Sequence, residues 1–344
     1  MLTEDKIRVF HGPYDAAGQA WEIAKAERAK GYDSKLILFE SNKFGYGSDQ
    51  SLEIEKNISY VRAIKKGFNF IKVLPKYDIF HFYRLRSLLP RYKDLPLIKI
   101  FNKKVVMHFF GSEVRRLDLA RKYKFHYAND LGFDPEEERK KSKRVESVKK
   151  YADVMIVPDY EVLEYVPGAL VVPLTYDADT ISKIKTRIST GNKIKILHAP
   201  SNRIIKGTDH ILTTIEKLKH DLSGKYQIDF KLVENVSHEK ALKTYAEADI
   251  VVDQFRMGMY ATLSIESMAL GKPVLCYIRE DIAKKYPGLP ILNTNQDNLY
   301  HNLKMLIENK DLRIKLGKKG TWYAAKIHSP EVVTKQLIKI YRSL

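Results

Sequence analysis

The sequence predicts an α/β protein of two doubly wound, Rossmann-like domains facing across a cleft, and three observations carry that prediction. The chain has 344 residues, too many for one ordinary hydrophobic core and enough for two. Strand-like apolar runs alternate with helix-like amphipathic runs along most of its length, the pattern of helices layered on a parallel sheet. A single polar stretch interrupts the alternation, and a second alternating series starts after it. The hydrophobic share of 44% is that of a globular chain and excludes a disordered one.

The first series opens with strand KIRVF (6–10), helix AWEIAKAERAK and strand SKLILF. Helix RAIKKGFNFIKVL and strand DIFHFY follow; after Pro96 comes a short helix, then strand KVVMHFF, ending at Gly111. A charged helix runs from Pro135 to about Tyr151; proline suits its first turn, where the missing N–H has no partner to lose. Strands VMIV and LVVPL close this half. From Tyr176 to Asn192 the chain turns polar, DADTISKIKTRISTGN, and reads as a linker that is helical in part. The second series runs through strand KIKILHAP, helix TDHILTTIEKLK, strand YQIDFKLVE, helix HEKALKTYAEA and strand DIVVDQF. Ser237 caps the second of these helices and Glu239 favours its first turn. The next helix ends at Gly271, and Pro273 prevents its continuation before strand PVLCYI. The closing SPEVVTKQLIKIYRSL has Ser329 as cap and Pro330 at the first helical position. The expected division is an acceptor-side domain over 1–178, a linker over 179–191, a nucleotide-sugar domain over 192–328, and a helix over 329–344 packing back toward the first domain.

Lys and Arg number 60 against 42 Asp and Glu, a net charge of +18, which biases the chain toward anionic partners: nucleic acid, an acidic membrane surface or an anionic substrate. No nucleic-acid module signature occurs, so nucleic acid is not expected. Solvated helix faces account for such runs equally well. The run RAIKKGFNFIKVLPK places Arg62, Lys65, Lys66 and Lys72 with Phe68 and Phe70 on one expected helix, a candidate surface for an anionic membrane. The opening MLTEDKIRVFHG lacks the apolar stretch of a secretory signal, and no run reaches the ~20 apolar residues of a membrane span. The lone Cys276, in an apolar strand, reads as a small buried hydrophobe. The expected location is cytoplasmic, peripheral at the inner face of the membrane if that surface docks, with no disulfide framework.

In doubly wound sheets ligands bind where strands end and helices begin. HAPSNRIIKGTDH is such a place: Arg203 and Lys206 are two cations beside Gly207, suited to a diphosphate. GMYATLSIESMALGKPVLCY, residues 258–277, is another. If its helix begins near Thr262, the N–H groups of Leu263 and Ser264 are free for an anion, and Glu266 sits in the first turn with a carboxylate suited to sugar hydroxyls. Taken alone, a basic surface loop and an ordinary first-turn glutamate fit the same residues.

Together, SNRIIKG and GMYATLSIESMALGKPVLCY resemble the donor-binding signatures of retaining GT-B glycosyltransferases, family 4 (glycosyl transferases group 1). HGPYDAAGQAWEIAKAERAKGYDSKLILF, VMHFFGSEVRR and VVPLTYD are similar to further segments of that family, so the resemblance spans nearly the whole chain. It implies a GT-B fold and transfer of a sugar from a nucleotide donor, UDP- or GDP-linked, to a glycan or lipid-linked acceptor hydroxyl with retained anomeric configuration. It implies that Glu266 binds the ribose, that Arg203 and Lys206 hold the diphosphate, that the loop at Gly12 and Gly18 faces the diphosphate, and that His108 points at the transferred sugar. Backbone groups near Glu234 and Val236 would read the base. The family's usual first glutamate would fall at 258, where this chain has Gly258; backbone N–H groups of Met259, Tyr260 and Ala261 are the expected substitutes. The departing diphosphate would take the acceptor proton, with Arg203, Lys206 and the helix start at Thr262–Ser264 stabilising the charge.

No metal or other cofactor is expected: HExxH and Cys/His clusters are absent, and the one Asp-x-Asp, at 177–179, falls in the linker. His11, His81 and His198 stand at strand ends and read individually as structural. Two alternatives remain open at this level. A nucleotide-sugar epimerase on the same fold would keep acid/base groups around the sugar. A non-catalytic, basic polyanion-binding protein on a degenerate scaffold would bind nucleotide without turnover, and Gly258 fits it.

Overall fold

The computed structural model describes residues 7–186 and 191–344; the first residue of the expected KIRVF strand and part of the expected linker lie outside the described residues. The chain divides into two compact units. One comprises the residues up to Leu117, Phe133–Thr175 and Pro330–Leu344; the other comprises Asp118–Gly132 and Tyr176–Ser329.

The first unit is a seven-stranded sheet: β1 Arg8–Gly12, β2 Asp33–Leu38, β3 Gln50–Ser51, β4 Ile79–Tyr83, β5 Lys104–His108, β6 Val154–Val157 and β7 Leu170–Val171. Its order is β3-β2-β1-β4-β5-β6-β7, every pair parallel. The order reverses between β1 and β4, a topological switch point. Successive strand residues face opposite sides, and the sequence uses this to build two layers. Phe10, Phe80, Phe82, Val105 and Met107 meet Phe70 and Val73 of the Ser59–Val73 helix, Leu95 and Ile98 of the Asp94–Ile100 helix, and Val145 and Val148 of the Pro135–Lys149 helix. Val9, Ile79, Val106 and Ile156 meet Ile23 of the Gln19–Ala29 helix and Val333, Leu337 and Tyr341 of the terminal Pro330–Arg342 helix.

Several local details depart from the expectations. Phe70, expected on a membrane-facing surface, is buried in the core. The short helix starts at Asp94, so Pro96 lies inside its first turn, where no intrahelical N–H bond is lost. The linker is helical in part, as expected: it holds an Ala178–Lys183 helix, capped by Asp177 accepting from the Thr180 N–H at 3.0 Å.

The second layer of the first unit carries a buried polar network. His11, His81 and Tyr83, which alternate with the Phe residues, join His108 on the face toward the Gln19–Ala29 and terminal helices. His11 Nε2 lies 2.8 Å from Glu27 Oε2, and its Nδ1 2.6 Å from the Tyr83 hydroxyl. His81 Nδ1 is 2.6 Å from the Tyr341 hydroxyl and its Nε2 is 3.3 Å from His108 Nδ1. Desolvation holds His81 well below the usual histidine range and pushes His108 down to about 3. A neutral His81 ring has one donor and one acceptor nitrogen, so one of these two contacts is donated by His81 and the other accepted by it.

The second unit is a five-stranded parallel sheet of order β12-β11-β10-β8-β9. Its strands are β8 Lys193–His198, β9 Gln227–Leu232, β10 Ile250–Val252, β11 Val274–Cys276 and β12 Leu292–Asn293. Ile194, Ile196, Ile250, Val252 and Leu275 pack on Ile211, Ile215 and Leu218 of the Thr208–Asp221 helix and on Leu299 and Leu303 of the Leu299–Glu308 helix. Cys276 is buried in this sheet, and desolvation pushes its thiol pKa up. The segment 118–132, distant in sequence, completes this unit. Tyr127 N–H donates to the Arg256 carbonyl at 3.0 Å, Arg256 pairs with Asp130, and the Phe125 and Tyr277 rings meet edge to face at 5.2 Å. Among the described residues no helix is long and apolar enough to cross a membrane.

Tyr341→Phe removes the hydroxyl that satisfies His81 and leaves a buried ring nitrogen unpaired. It is expected to cost about 1–3 kcal/mol of stability, measured by urea unfolding of the full chain; an unchanged midpoint would show that His81 finds another partner.

Candidate functional site

The candidate residues of the second unit gather at the carboxyl ends of its strands. Beyond β8, Asn202 caps the short Arg203–Lys206 helix, its Oδ1 accepting from the Ile205 N–H at 3.1 Å. Gly207 (φ +76°) ends that helix and begins the Thr208–Asp221 helix. Its left-handed backbone, needed to join two helices, gives this glycine a local reason beyond close approach to a ligand.

The two cations differ sharply. Arg203 is exposed and donates from Nε and Nη2 to the Glu234 carboxylate at 2.9 and 2.5 Å, which raises the guanidinium and lowers the carboxyl pKa. Lys206 is buried, and its Nζ donates to Asp253 Oδ1 at 2.9 Å and Gln254 Oε1 at 2.6 Å. Ser264 Oγ donates to Asp253 Oδ2 at 2.6 Å, and Gln254 Nε2 donates to the Met259 carbonyl. Each of the two cations therefore has a carboxylate partner. Lys206 in particular cannot be removed without stranding a buried charge.

Gly258 has φ +83°, and a Cβ there would fall 2.6 Å from Cγ and 2.8 Å from Cδ of Arg279. The space beside Gly258 is thus filled by the Arg279 stem. Arg279 N–H donates to the Gly258 carbonyl at 2.9 Å, Arg279 Nη2 donates to Asp281 Oδ2 at 2.6 Å, and the guanidinium stacks 3.6 Å from the Tyr123 ring centroid. Met259 and Tyr260 are buried, the Tyr260 hydroxyl lying 3.0 Å from His328 Nε2. Ala261 precedes the Thr262–Ala269 helix and has no side-chain oxygen, so no N-cap side chain takes up the first N–H groups, at Thr262, Leu263 and Ser264.

The helix starts at Thr262, as expected, and Glu266 is its fifth residue, just past the first turn. It is buried, and its Oε1 is 2.6 Å from Nε2 of His238, at the start of the His238–Glu247 helix. Glu234 and Val236 lie in the loop after β9, where Asn235 has a left-handed backbone (φ +53°). His198 is fully engaged, Nδ1 with the Val252 carbonyl at 2.8 Å and Nε2 with Thr208 Oγ1 at 2.9 Å; burial pushes it down to about 4.

Gly12, Gly18 and His108 belong to the first unit. Gly12 ends β1, and Gly18 precedes the Gln19–Ala29 helix. His108 is buried, and its Nε2 has no hydrogen-bond partner among the described residues. In the same glycine loop Asp15, which sequence reasoning passed over, is buried and accepts from the Ala20 N–H at 2.9 Å; desolvation raises it to about 7. Asp253, Gln254, His238 and Arg279 were also missed. The first two had a signal: an acid and an amide directly after the apolar DIVV, where a parallel strand ends.

Two parallel-sheet α/β units in this order define the GT-B fold. Among solved structures, the chain is similar to the sucrose-phosphate synthase of Thermosynechococcus elongatus, with a TM-score of 0.63 at 13% identity over 98% of each chain. It is similar to WaaG, a glycosyltransferase involved in lipopolysaccharide biosynthesis (TM-score 0.63, 12% identity, 97% of this chain and 99% of that one). A third likeness is to Anabaena HepE in complex with UDP-glucose (TM-score 0.62, 11% identity, 98% of this chain and 100% of that one). At such identities the likeness carries the fold. No protein-family model matches the sequence, and no curated protein sequence does.

Two stability measurements check the site's construction. Lys206→Ala leaves Asp253 buried without its counter-charge and is expected to cost about 3–5 kcal/mol in denaturant unfolding; a loss under about 1 kcal/mol would mean that Ser264 suffices. For His198, the folded pKa of about 4 lies below the unfolded value near 6.5. Its contribution is therefore complete above about pH 6.5 and is lost as the pH falls to about 4, since the unfolded chain binds the proton first. His198→Asn is expected to flatten the stability–pH curve in that window; an unchanged slope there would show that His198 takes up no proton on unfolding.

Proposed function

We propose that this protein is a glycosyltransferase that moves a sugar from a UDP- or GDP-linked donor to an acceptor hydroxyl on a glycan or lipid-linked molecule, with retention of anomeric configuration. The observation that carries this reading is the Lys206–Asp253–Ser264 tie, which joins the turn of Arg203 to the helix that starts uncapped at Thr262 and holds Glu266. It stands on a fold shared with solved glycosyltransferase structures, one of which holds UDP-glucose.

The chemistry then follows from what these groups offer. The helix start presents free N–H groups and the positive end of a dipole to the diphosphate. The exposed Arg203–Glu234 pair is the weaker of the two ion pairs and the one free to exchange its carboxylate for a phosphate. Lys206 keeps a positive Nζ at the same strand ends, although Asp253 offsets its charge. Glu266 would accept from the ribose hydroxyls while His238 holds its orientation, and the backbone at Glu234–Val236 would meet the base. As the anomeric C–O bond breaks, the glycosidic bond forms on the same face and the acceptor proton passes to the departing diphosphate. No side chain is required as general base, and the cations replace a divalent metal. Parts for Gly12, Gly18 and His108 rest on the sequence resemblance alone.

Calorimetric titration of the full chain with UDP, GDP and their sugar conjugates, in the presence of EDTA, tests this. One nucleotide series is expected to bind. Arg203→Ala should weaken it, and Glu266→Ala should weaken the nucleoside diphosphate and the sugar donor alike, by roughly 10- to 150-fold for loss of hydrogen bonds to a charged acceptor. If no nucleotide binds, the reading fails; if binding or turnover vanishes in EDTA and returns with magnesium or manganese, the metal-free part fails.

A further inference from the structure

The outward side of the Ser59–Val73 helix is explained neither by the core nor by the donor site. The helix packs on the first unit through Asn69, Phe70 and Val73. At 3.6 residues per turn, Tyr60, Ile64, Phe68 and Ile71 fall together on the opposite side, and Ile58 stands just before it. These five are between 53% and 75% exposed. A surface helix needs one apolar stripe to seat it, so a second stripe facing outward marks an interaction surface. The neighbouring Asp94–Ile100 helix, seated on the same core layer, exposes Leu97, Ile100 and the following Phe101.

Charge narrows the partner. The helix SYVRAIKKGFNFIKV contains no acid and four cations. Arg62 and Lys66 turn to Glu55, at 3.2 and 2.7 Å. Lys65 and Lys72 border the outward stripe and pair with no carboxylate among the described residues. An apolar stripe rimmed by cations alone has the chemistry of a helix lying in a membrane interface. A second copy of this chain, docked by twofold symmetry, would set the same lysines against each other.

We propose that this face docks on an anionic lipid surface, with Tyr60, Ile64, Phe68 and Ile71 entering the boundary between headgroups and acyl chains and Lys65 and Lys72 meeting lipid phosphates. The inference does not depend on the donor-site reading.

Cosedimentation of the full chain with vesicles of phosphatidylcholine, alone or mixed with phosphatidylglycerol, tests it at low and high salt. Two double variants change only exposed side chains: Phe68→Ser with Ile71→Ser, and Lys65→Gln with Lys72→Gln. Thermal unfolding checks that both remain folded. The wild type is expected to bind the mixed vesicles, more weakly in high salt and least to the neutral ones. The lysine variant should bind about 30-fold more weakly, from two juxtamembrane charges, and the Phe68/Ile71 variant should stay in the supernatant. Failure of the wild type to sediment with mixed vesicles at low salt overturns the proposal. So does binding by both variants at the wild-type level. A wild-type dimer that the Phe68/Ile71 variant makes monomeric, with vesicle binding unchanged, would assign the face to a second copy instead.

Discussion

One buried carboxylate organises the second unit. Asp253 has no exposure to water, and an ionised group in that position is tolerated only when paired and hydrogen-bonded. Lys206 and Ser264 meet that need, and in doing so they tie three separate pieces together: the turn after β8, the end of β10 and the Thr262–Ala269 helix. Gln254 extends the tie by accepting from Lys206 and donating to the Met259 carbonyl. The loop that leads into the helix is thereby fixed, and with it the direction of the free N–H groups at the helix start. Lys206 is first a condition of folding. The anion-binding capacity of these strand ends therefore rests more on the helix start and on Arg203 than on the number of lysines nearby.

The first unit solves a related problem with imidazoles and phenols. Strand alternation would allow an entirely apolar second layer, yet β1, β4 and β5 turn His11, His81, Tyr83 and His108 into it. Buried imidazoles need hydrogen-bond partners. Glu27 meets His11 from the Gln19–Ala29 helix, and Tyr341 meets His81 from the last helix of the chain. That polar contact, with Val333 and Leu337 beside it, gives a physical reason why the C-terminal residues belong to the unit that the N-terminal residues begin.

Much of the fold was legible because parallel strands are buried on both faces and read as continuous apolar runs; VMIV and the IVV of DIVV are such runs. Ser237, whose side chain accepts from the Lys240 N–H at 3.4 Å, was legible as a cap because capping is local chemistry. What escaped was non-local. Nothing near Lys206 in sequence names Asp253, 47 residues on. Residues 118–132 carry no composition change that would assign them to the second unit; their attachment is made by Arg256, Tyr277 and Arg279. The Ser59–Val73 helix is apolar on two sides, so periodicity alone could not tell that Phe70 faces the core and Phe68 faces out.

The same reasoning changes how Gly258 is understood. Against the resembling family's pattern it looks like a lost glutamate, a position that a single substitution would restore. The backbone there is left-handed, where a residue with a Cβ is strained, and the volume a side chain would enter is held by the Arg279 stem. Arg279 is itself fixed from three directions, by its N–H on the Gly258 carbonyl, by Asp281 and by the face of Tyr123. A carboxylate at 258 would therefore have to displace a buried cation that supports segment 118–132. Glycine at 258, arginine at 279 and tyrosine at 123 form one solution, and the side-chain charge next to this loop is positive where the family's pattern has a negative one.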